Sequence, residues 1–298
     1  MIVNGTTIDN TFAEAFGMKA TRVVITALNH RWARHAAQAM TGFATSVIGC
    51  GVEAGIENEL PAGETPDGRP GVSVLMFGMS GKALGKQLEK RVSQCVLTSP
   101  TSAVFAGMCG EKCINLGRNV RFFGDGYQIS KLIDGHRCWR IPVMDGEFIA
   151  EESTAYCSAV GGGNFLVLAE STQQALIACE AAIDAMQDIP NVIMPFPGGV
   201  VRSGSKVGSI YKALPASTNQ AFCPTLKGMT RSHVPDDVES VLEIVINGLT
   251  DDDIRRAIRT GVDAVCALGA GQGIKRVSAG NYGGKLGQFH FHLREIMA

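Results

Sequence analysis

The sequence predicts an α+β fold made of two ferredoxin-like α/β sandwich lobes related by duplication, and three observations predict it. A strand-like apolar run followed by a helical segment occurs four times along the 298 residues. A further strand-like run follows each helical segment, which is the β-α-β arithmetic of such a sandwich, repeated once. Glycine is enriched, with 36 residues in short clusters between apolar runs, as tight turns and close backbone approach require.

The first unit is RVVITAL (22–28) followed by HRWARHAAQAM (30–40). The second is VSVLMFG (72–78), leading through Ser80 as an N-cap into KALGKQLEKRVSQCV (82–96). The third is NFLVLAE (164–170), followed by TQQALIACEAAIDAMQ (172–187), with Ser171 and Gln174 at capping-box spacing. The fourth is VLEIVINGL (241–249), followed by Thr250 and DDDIRRAIRTGVDAVCAL (251–268), whose three leading acids suit a helix N-terminus. The strands expected after these helices are ATSVIG (44–49), TSAVFAGM (101–108), NVIMPF (191–196) and KRVSAG (275–280). A boundary after GEFIAEEST gives an N-terminal lobe over 1–155 and a C-terminal lobe over 156–298. The second lobe carries a long glycine-rich insertion at about 195–240, too long for an idle connection.

Composition narrows the function. Hydrophobic residues make up 45% and charged residues 18%, enough for a sizeable core and too apolar for disorder. A net charge of −1, with Lys and Arg dispersed, excludes a generally basic nucleic-acid surface. No apolar run approaches the roughly 18 residues of a membrane span, and MIVNGTTIDNTF has neither the basic start nor the apolar stretch of a secretory signal. A soluble cytoplasmic protein with no membrane or nucleic-acid partner is expected. Nine scattered cysteines, an odd number, read as reduced thiols. Cys109, Cys113, His136 and Cys138 lack a zinc spacing, and the pair His290 and His292 has no third ligand in reach of sequence, so no metal is expected.

Strong enzymatic signatures are absent: there is no G-x-S-x-G, no H-E-x-x-H, no C-x-x-C and no G-x-G-x-x-G at a strand–helix turn. GVVRSGSK (199–206) imitates a phosphate loop, but Ser205 separates Gly204 from Lys206 and no helix follows. Glu243 is the better lead. Within its strand it shares a face with Val241, Val245 and Asn247. A carboxyl there either faces a cleft, where partial burial tunes it for proton transfer, or is an edge-strand or ion-paired structural residue. Gln94 ahead of CVLTSPTSAVF, Arg69 and Asp67 in ETPDGRPG (64–71), FFGDGY (122–127), and Phe222 in LPASTNQAFCP (214–224) combine small polar groups, aromatics and permissive backbone. Each is compatible with turn chemistry alone; together they fit a pocket for an elongated ligand.

Several of these segments carry a resemblance. TFAEAF (11–16), TGFATSVI (41–48), EAGIE (53–57), ETPDGRPG, QCVLT-P (94–100), FFGDGY, GGNF (162–165), PFPGG and SGSK (195–206), EIVINGL (243–249) and SAGNYGGKLG (278–287) occur in order across essentially the whole chain. In these the sequence resembles the formylmethanofuran–tetrahydromethanopterin formyltransferases. The resemblance implies transfer of a formyl group between the amine of a furan-containing carrier and N5 of a tetrahydropterin carrier. It implies no metal or prosthetic group, the methanofuran-type carrier and tetrahydromethanopterin being substrates. A protomer of two α/β lobes assembled as a homotetramer is implied as well.

The family's acidic catalytic residue falls on Glu243, with direct transfer between bound carriers in place of a covalent formyl-enzyme. Substrate-binding expectations then fall on Gln94 and Arg69, on Gly198 and Gly199, on Ser203, Ser205 and Lys206 as donors, and on Asn247 and Phe222. Where archaeal members read A-SGSK and IAGGNF, this chain has VRSGSK (201–206) and VGGGNF (160–165), so Arg202 adds a positive charge suited to an acidic carrier tail. The segment MCGEKCINLGRNV (108–120) is unlike the acidic linker of methanogen versions. That difference favours a bacterial methylotroph version, which runs toward formate in complex with hydrolase subunits. The alternative is a subunit that keeps the fold as a non-catalytic scaffold of such a formyltransferase/hydrolase complex.

Overall fold

The computed structural model describes residues 1–298. Its main elements, in chain order, are β1 (Phe12–Thr26), α1 (His30–Thr41), β2 (Glu53–Leu60), β3 (Gly71–Gly78), α2 (Gly81–Arg91), β4 (Ala103–Ala106), β5 (His136–Val143), β6 (Gly146–Glu151), β7 (Cys157–Ala169), α3 (Thr172–Met186), β8 (Ser240–Gly248), α4 (Asp251–Leu268), β9 (Ile274–Ser278) and β10 (Phe289–His292). They form two compact units, Met18–Ala159, and Met1–Gly17 with Val160–Ala298. The division therefore departs from a single cut after residue 155. The physical reason is the length of β1. Its first residues, Phe12–Ala15, pair antiparallel with β10, whereas Lys19–Thr26 pair with β3. One uninterrupted strand serves both units, so no local signal marks the break.

In the unit Met18–Ala159 the strands lie in the order β2-β3-β1-β4, the arrangement of a ferredoxin-like sandwich, with β6 and β5 extending the sheet past β4. Every residue of β3 is buried, which explains its unbroken apolar run. Helices α1 and α2 place Ala33, Ala37, Met40, Leu84 and Leu88 against Val23, Val74 and Met76 of the sheet. Ser80 accepts the Ala83 amide as the N-cap of α2. The expected strand at 44–49 is instead a one-turn helix, Val47–Cys50. Ser46 accepts the Ile48 amide, Glu53 accepts the Val47 amide and Gly51 ends the turn at φ 76°, so local capping overrides the β-branched run.

The other unit repeats the plan. Its order is residues 192–201, β8, β7, β9, with β8 antiparallel to β7 and β7 antiparallel to β9. Helices α3 and α4 bury Ala178, Ala182, Ile258 and Val262 in one core with Phe165, Ile244 and Ile246. The difference from the first unit lies in the second strand, which is reduced to two short pairings, Val192–Ile193 and Val200–Val201, both with β8. Residues 202–239 then leave the sheet as a long excursion containing one small hairpin, Ser205–Val207 with Ala216–Thr218. The fourth helix starts as its sequence requires: Thr250 accepts the Asp253 amide while Asp253 accepts the Thr250 amide. Thr250→Ala removes one half of this reciprocal cap, and urea denaturation is expected to show a loss of about 1 kcal/mol.

Candidate functional site

Strand β8 alternates. Leu242, Ile244 and Ile246 enter the core, while Val241, Glu243 and Val245 face the other way and are half-buried. Opposite this face the excursion returns. Arg202, Ser203, Gly204, Ser205 and Lys206 form one wall of a cleft of about 120 Å³, and Phe222 and Cys223 form another. Asn164 of β7 and the segment Gly280–Tyr282 that follows β9 complete it. A second, shallower groove of about 650 Å³ shares Val201–Ser203 and Val241–Leu242 with the cleft and continues past Phe196 and Pro224.

Local contacts hold the wall in shape. Gly204 accepts the Asn219 amide at 3.1 Å, which holds the ends of the small hairpin together. Phe222 stacks on His233 with ring centroids 5.6 Å apart. Gly199, at φ 79°, presses its backbone against Ile183 of α3, leaving no room for a Cβ. Gly204, at φ 34°, borders open space. These two glycines thus answer different demands, close packing and backbone shape.

Glu243 stands at the floor of the cleft, and the structure gives its carboxylate neither a hydrogen-bond nor an ion-pair partner. Burial raises its pKa from 4.5 to about 7, because the charged form loses hydration and gains nothing in return. Burial, followed by the charges of Glu243 and Glu14, also raises the Tyr282 hydroxyl, keeping that phenol protonated beside the acid.

The opposite wall rests on two side chains outside the sequence expectations. Asn164 accepts the Gly280 amide at 2.6 Å and donates to the Gly280 carbonyl at 3.2 Å. Glu14, 1% exposed, accepts four backbone amides: Tyr282 and Gly284 on one oxygen, Leu286 and Gly287 on the other, at 2.6–2.8 Å. Burial alone would raise its pKa, yet these four donors bring it down to about 2.

The expected site residues separate into groups. Glu243, Ser203, Ser205, Lys206 and Phe222 all line the cleft. Gly198 and Gly199 form the turn just before the wall, Gly198 at φ 61°. Asn247 is fully buried and its Oδ1 accepts the Gly162 amide at 2.9 Å, so it shapes the bulge of β7 and does not reach the cleft. Alternation put it on the face of Glu243, but its amide oxygen is taken by the bulge of β7. Arg69 belongs to the other unit, where it is engaged by Asp67 at 2.8 Å, the Thr101 carbonyl and the Thr26 hydroxyl. Gln94 is exposed there, in a π-helical turn over Val92–Val96. Asn164, Asn281 and Tyr282 were not anticipated, although their clusters GGNF and SAGNYGGKLG are among the stretches that carry the family resemblance.

Because its neutral form is favoured in the fold, Glu243 costs nothing below pH 4.5 and becomes a buried anion as the pH rises through about 7. Glu243→Gln is therefore expected to be more stable than the parent at pH 8, with a higher melting temperature, and no more stable at pH 4.

Comparison with known proteins extends these findings. The family model described as formylmethanofuran-tetrahydromethanopterin formyltransferase matches residues 1–143, and the model described as FTR, proximal lobe, matches 146–296. A relative from Methylococcus capsulatus bearing that enzyme name is 71% identical over 298 residues, covering all of both chains. The solved formyltransferase of Methanosarcina barkeri superposes with TM-score 0.94 at 47% identity, over 99% of this chain and 100% of its own. A chain of the formyltransferase/hydrolase complex of Methylorubrum extorquens, solved with methylofuran, superposes with TM-score 0.97 at 50% identity, over 100% of this chain and 99% of its own. With its duplicated lobes and its cleft on the second of them, the chain belongs to the formylmethanofuran–tetrahydromethanopterin formyltransferase family.

Proposed function

We propose that the chain transfers a formyl group between a formylated furan carrier of the methanofuran or methylofuran type and N5 of tetrahydromethanopterin, with Glu243 moving the proton. One observation carries this reading: an unpartnered carboxyl with a pKa of about 7 at the floor of a narrow cleft, in a chain of this family. Proton transfer near neutral pH is most effective from such a group. A cleft of about 120 Å³ admits only the reacting end of a carrier, since whole-ligand pockets run to roughly 300–1,000 Å³. The adjoining groove of about 650 Å³ suits the remainder of an elongated molecule.

The chemistry balances without a resident cofactor. The N5 lone pair adds to the formyl carbon, giving a tetrahedral oxyanion; the N5 proton passes to the Glu243 carboxylate. As the carbon–nitrogen bond to the furan carrier's amine breaks, Glu243 delivers that proton to the leaving nitrogen. Ser203, Ser205 and Lys206 supply donors in the same cleft for the developing negative charge. Cys223 is the one thiol in the cleft; its partners are the Thr218 hydroxyl and the Asn219 carbonyl, with no base to activate it, which supports direct transfer. Arg202, shared by cleft and groove, places a cation where an acidic carrier tail would run.

The relative in the Methylorubrum complex motivates a second reading, a scaffold subunit that binds hydrolase partners without catalysing transfer. A desolvated, unpartnered Glu243 weighs against it, because a chain relieved of catalysis gains from discharging such a group. Homotetramer and hydrolase-complex assembly are both compatible with the catalytic reading.

The purified protein, mixed with formyl-tetrahydromethanopterin and the furan carrier, is expected to yield the formylated furan. A folded protein that transfers nothing yet co-purifies with hydrolase subunits would establish the scaffold instead. In the active enzyme, kcat/KM should rise with pH through about 7 as Glu243 ionises. Glu243→Gln should lower kcat by at least ~10² and abolish that rise; near-normal turnover would remove Glu243 from the mechanism.

A further inference from the structure

We propose that Glu14 is a positioning residue for formyl transfer: its carboxylate holds residues 282–287 so that Tyr282, next to Asn281, walls the cleft with Glu243. The inference rests on the formyl-transfer reading and concerns a residue that touches neither carrier.

Three geometric observations carry it. The segment between β9 and β10 has no strand or helix of its own, so its amides need partners elsewhere. Glu14 supplies them: a single buried carboxylate accepts from Tyr282, Gly284, Leu286 and Gly287, filling two acceptor sites on each oxygen. Such charge-assisted bonds are short and directional, and four on one group fix the backbone far better than any one would. Close approach is built into the sequence, since a Cβ on Gly287 would fall 2.8 Å from the Glu14 side chain and still nearer the Ala15 carbonyl.

The clamp acts at the cleft and not merely near it. Its first donor is the amide of Tyr282, whose side chain lines the cleft with Glu243 and packs on Phe16 at 5.9 Å between ring centroids. Asn281, the adjacent lining residue, is oriented separately: its Nδ2 donates to the Thr11 hydroxyl and the Phe12 carbonyl, and its Oδ1 accepts the Gly283 amide. Glu14 sits in β1, paired across to His290 of β10, so the anchor is part of the sheet and the anchored segment is a loop. Rigid placement of a wall residue is worth rate because a displacement of about 1 Å at a reacting centre can cost ~10².

The test is a double-mutant cycle with an independent structural readout. Glu14→Gln keeps the shape but loses the charge and one acceptor oxygen. In the active enzyme it should lower kcat/KM at least tenfold and speed amide hydrogen exchange at 282–287, with exchange in β8 unchanged. In a Tyr282→Ala background, the same Glu14→Gln change should cost less than threefold, because the side chain it positions is gone. A full tenfold loss in that background, or normal kcat/KM with exposed 282–287 amides, overturns the proposal.

Should Glu14→Gln fail to fold, Gly283→Ala takes its place. Gly283 has φ 80°, and no atom lies within 4 Å of the point a side-chain methyl would occupy, so alanine strains the segment from its exposed side alone. A loss of at least threefold in kcat/KM is expected, and none contradicts the role of the segment. An inactive parent with normal protection at 282–287 would fault the formyl-transfer reading, whereas an active parent insensitive to these changes would fault only this inference.

Discussion

The site depends on one carboxyl group, half-buried at the floor of a cleft, that no hydrogen bond or ion pair satisfies. Glu243 sits on a strand whose alternate residues form the core, so it cannot withdraw without moving Leu242 and Ile244. The sheet on one side and the glycine-rich wall on the other half-bury it without a counter-ion. Its pKa near neutrality follows directly from that isolation. Glu14 shows the opposite outcome: more deeply removed from solvent, but supplied with four amides, it is held near 2. Two glutamates in one unit are thus driven apart by environment alone, one left to exchange a proton and the other fixed as a permanent charge.

Duplication explains how such a site arises on an ordinary sandwich. Both units use the same strand order, and in the first the second strand is continuous over Glu53–Leu60. In the other the corresponding strand touches β8 only at Val192–Ile193 and Val200–Val201. The sheet is satisfied by those few pairings, and the chain between 202 and 239 is released to build a wall over the exposed face of β8. The glycines serve this construction unequally: Gly199 permits contact with α3, whereas Gly204 permits the shape of the wall itself.

Much of the fold was legible because its helices obey local rules. Ser80, Ser171 and Thr250 cap the helices that follow them, and the alternation around Glu243 identified its face. Where the structure adds to the sequence reading, distant or capping contacts compete with local pattern. ATSVIG looks like a strand until Ser46 and Glu53 cap its amides. Asn247 shares the face of Glu243 by alternation but accepts the Gly162 amide at the bulge of β7, which periodicity along β8 cannot reveal. Arg69 directs three of its five donors to Asp67, Thr26 and the Thr101 carbonyl, and two of those partners are distant in sequence. Glu14 escaped notice because its partners lie roughly 270 residues away, and backbone amides leave no mark in a sequence.

The most direct measurement is a carbon-13 NMR titration of the Glu243 carboxyl in the intact protein, assigned by its disappearance in Glu243→Gln. A midpoint near 7 is predicted, set by burial without a partner. A midpoint at or below 4.5 would show that the carboxylate is solvated or paired, and would contradict the proposal that Glu243 carries the proton between the two carriers.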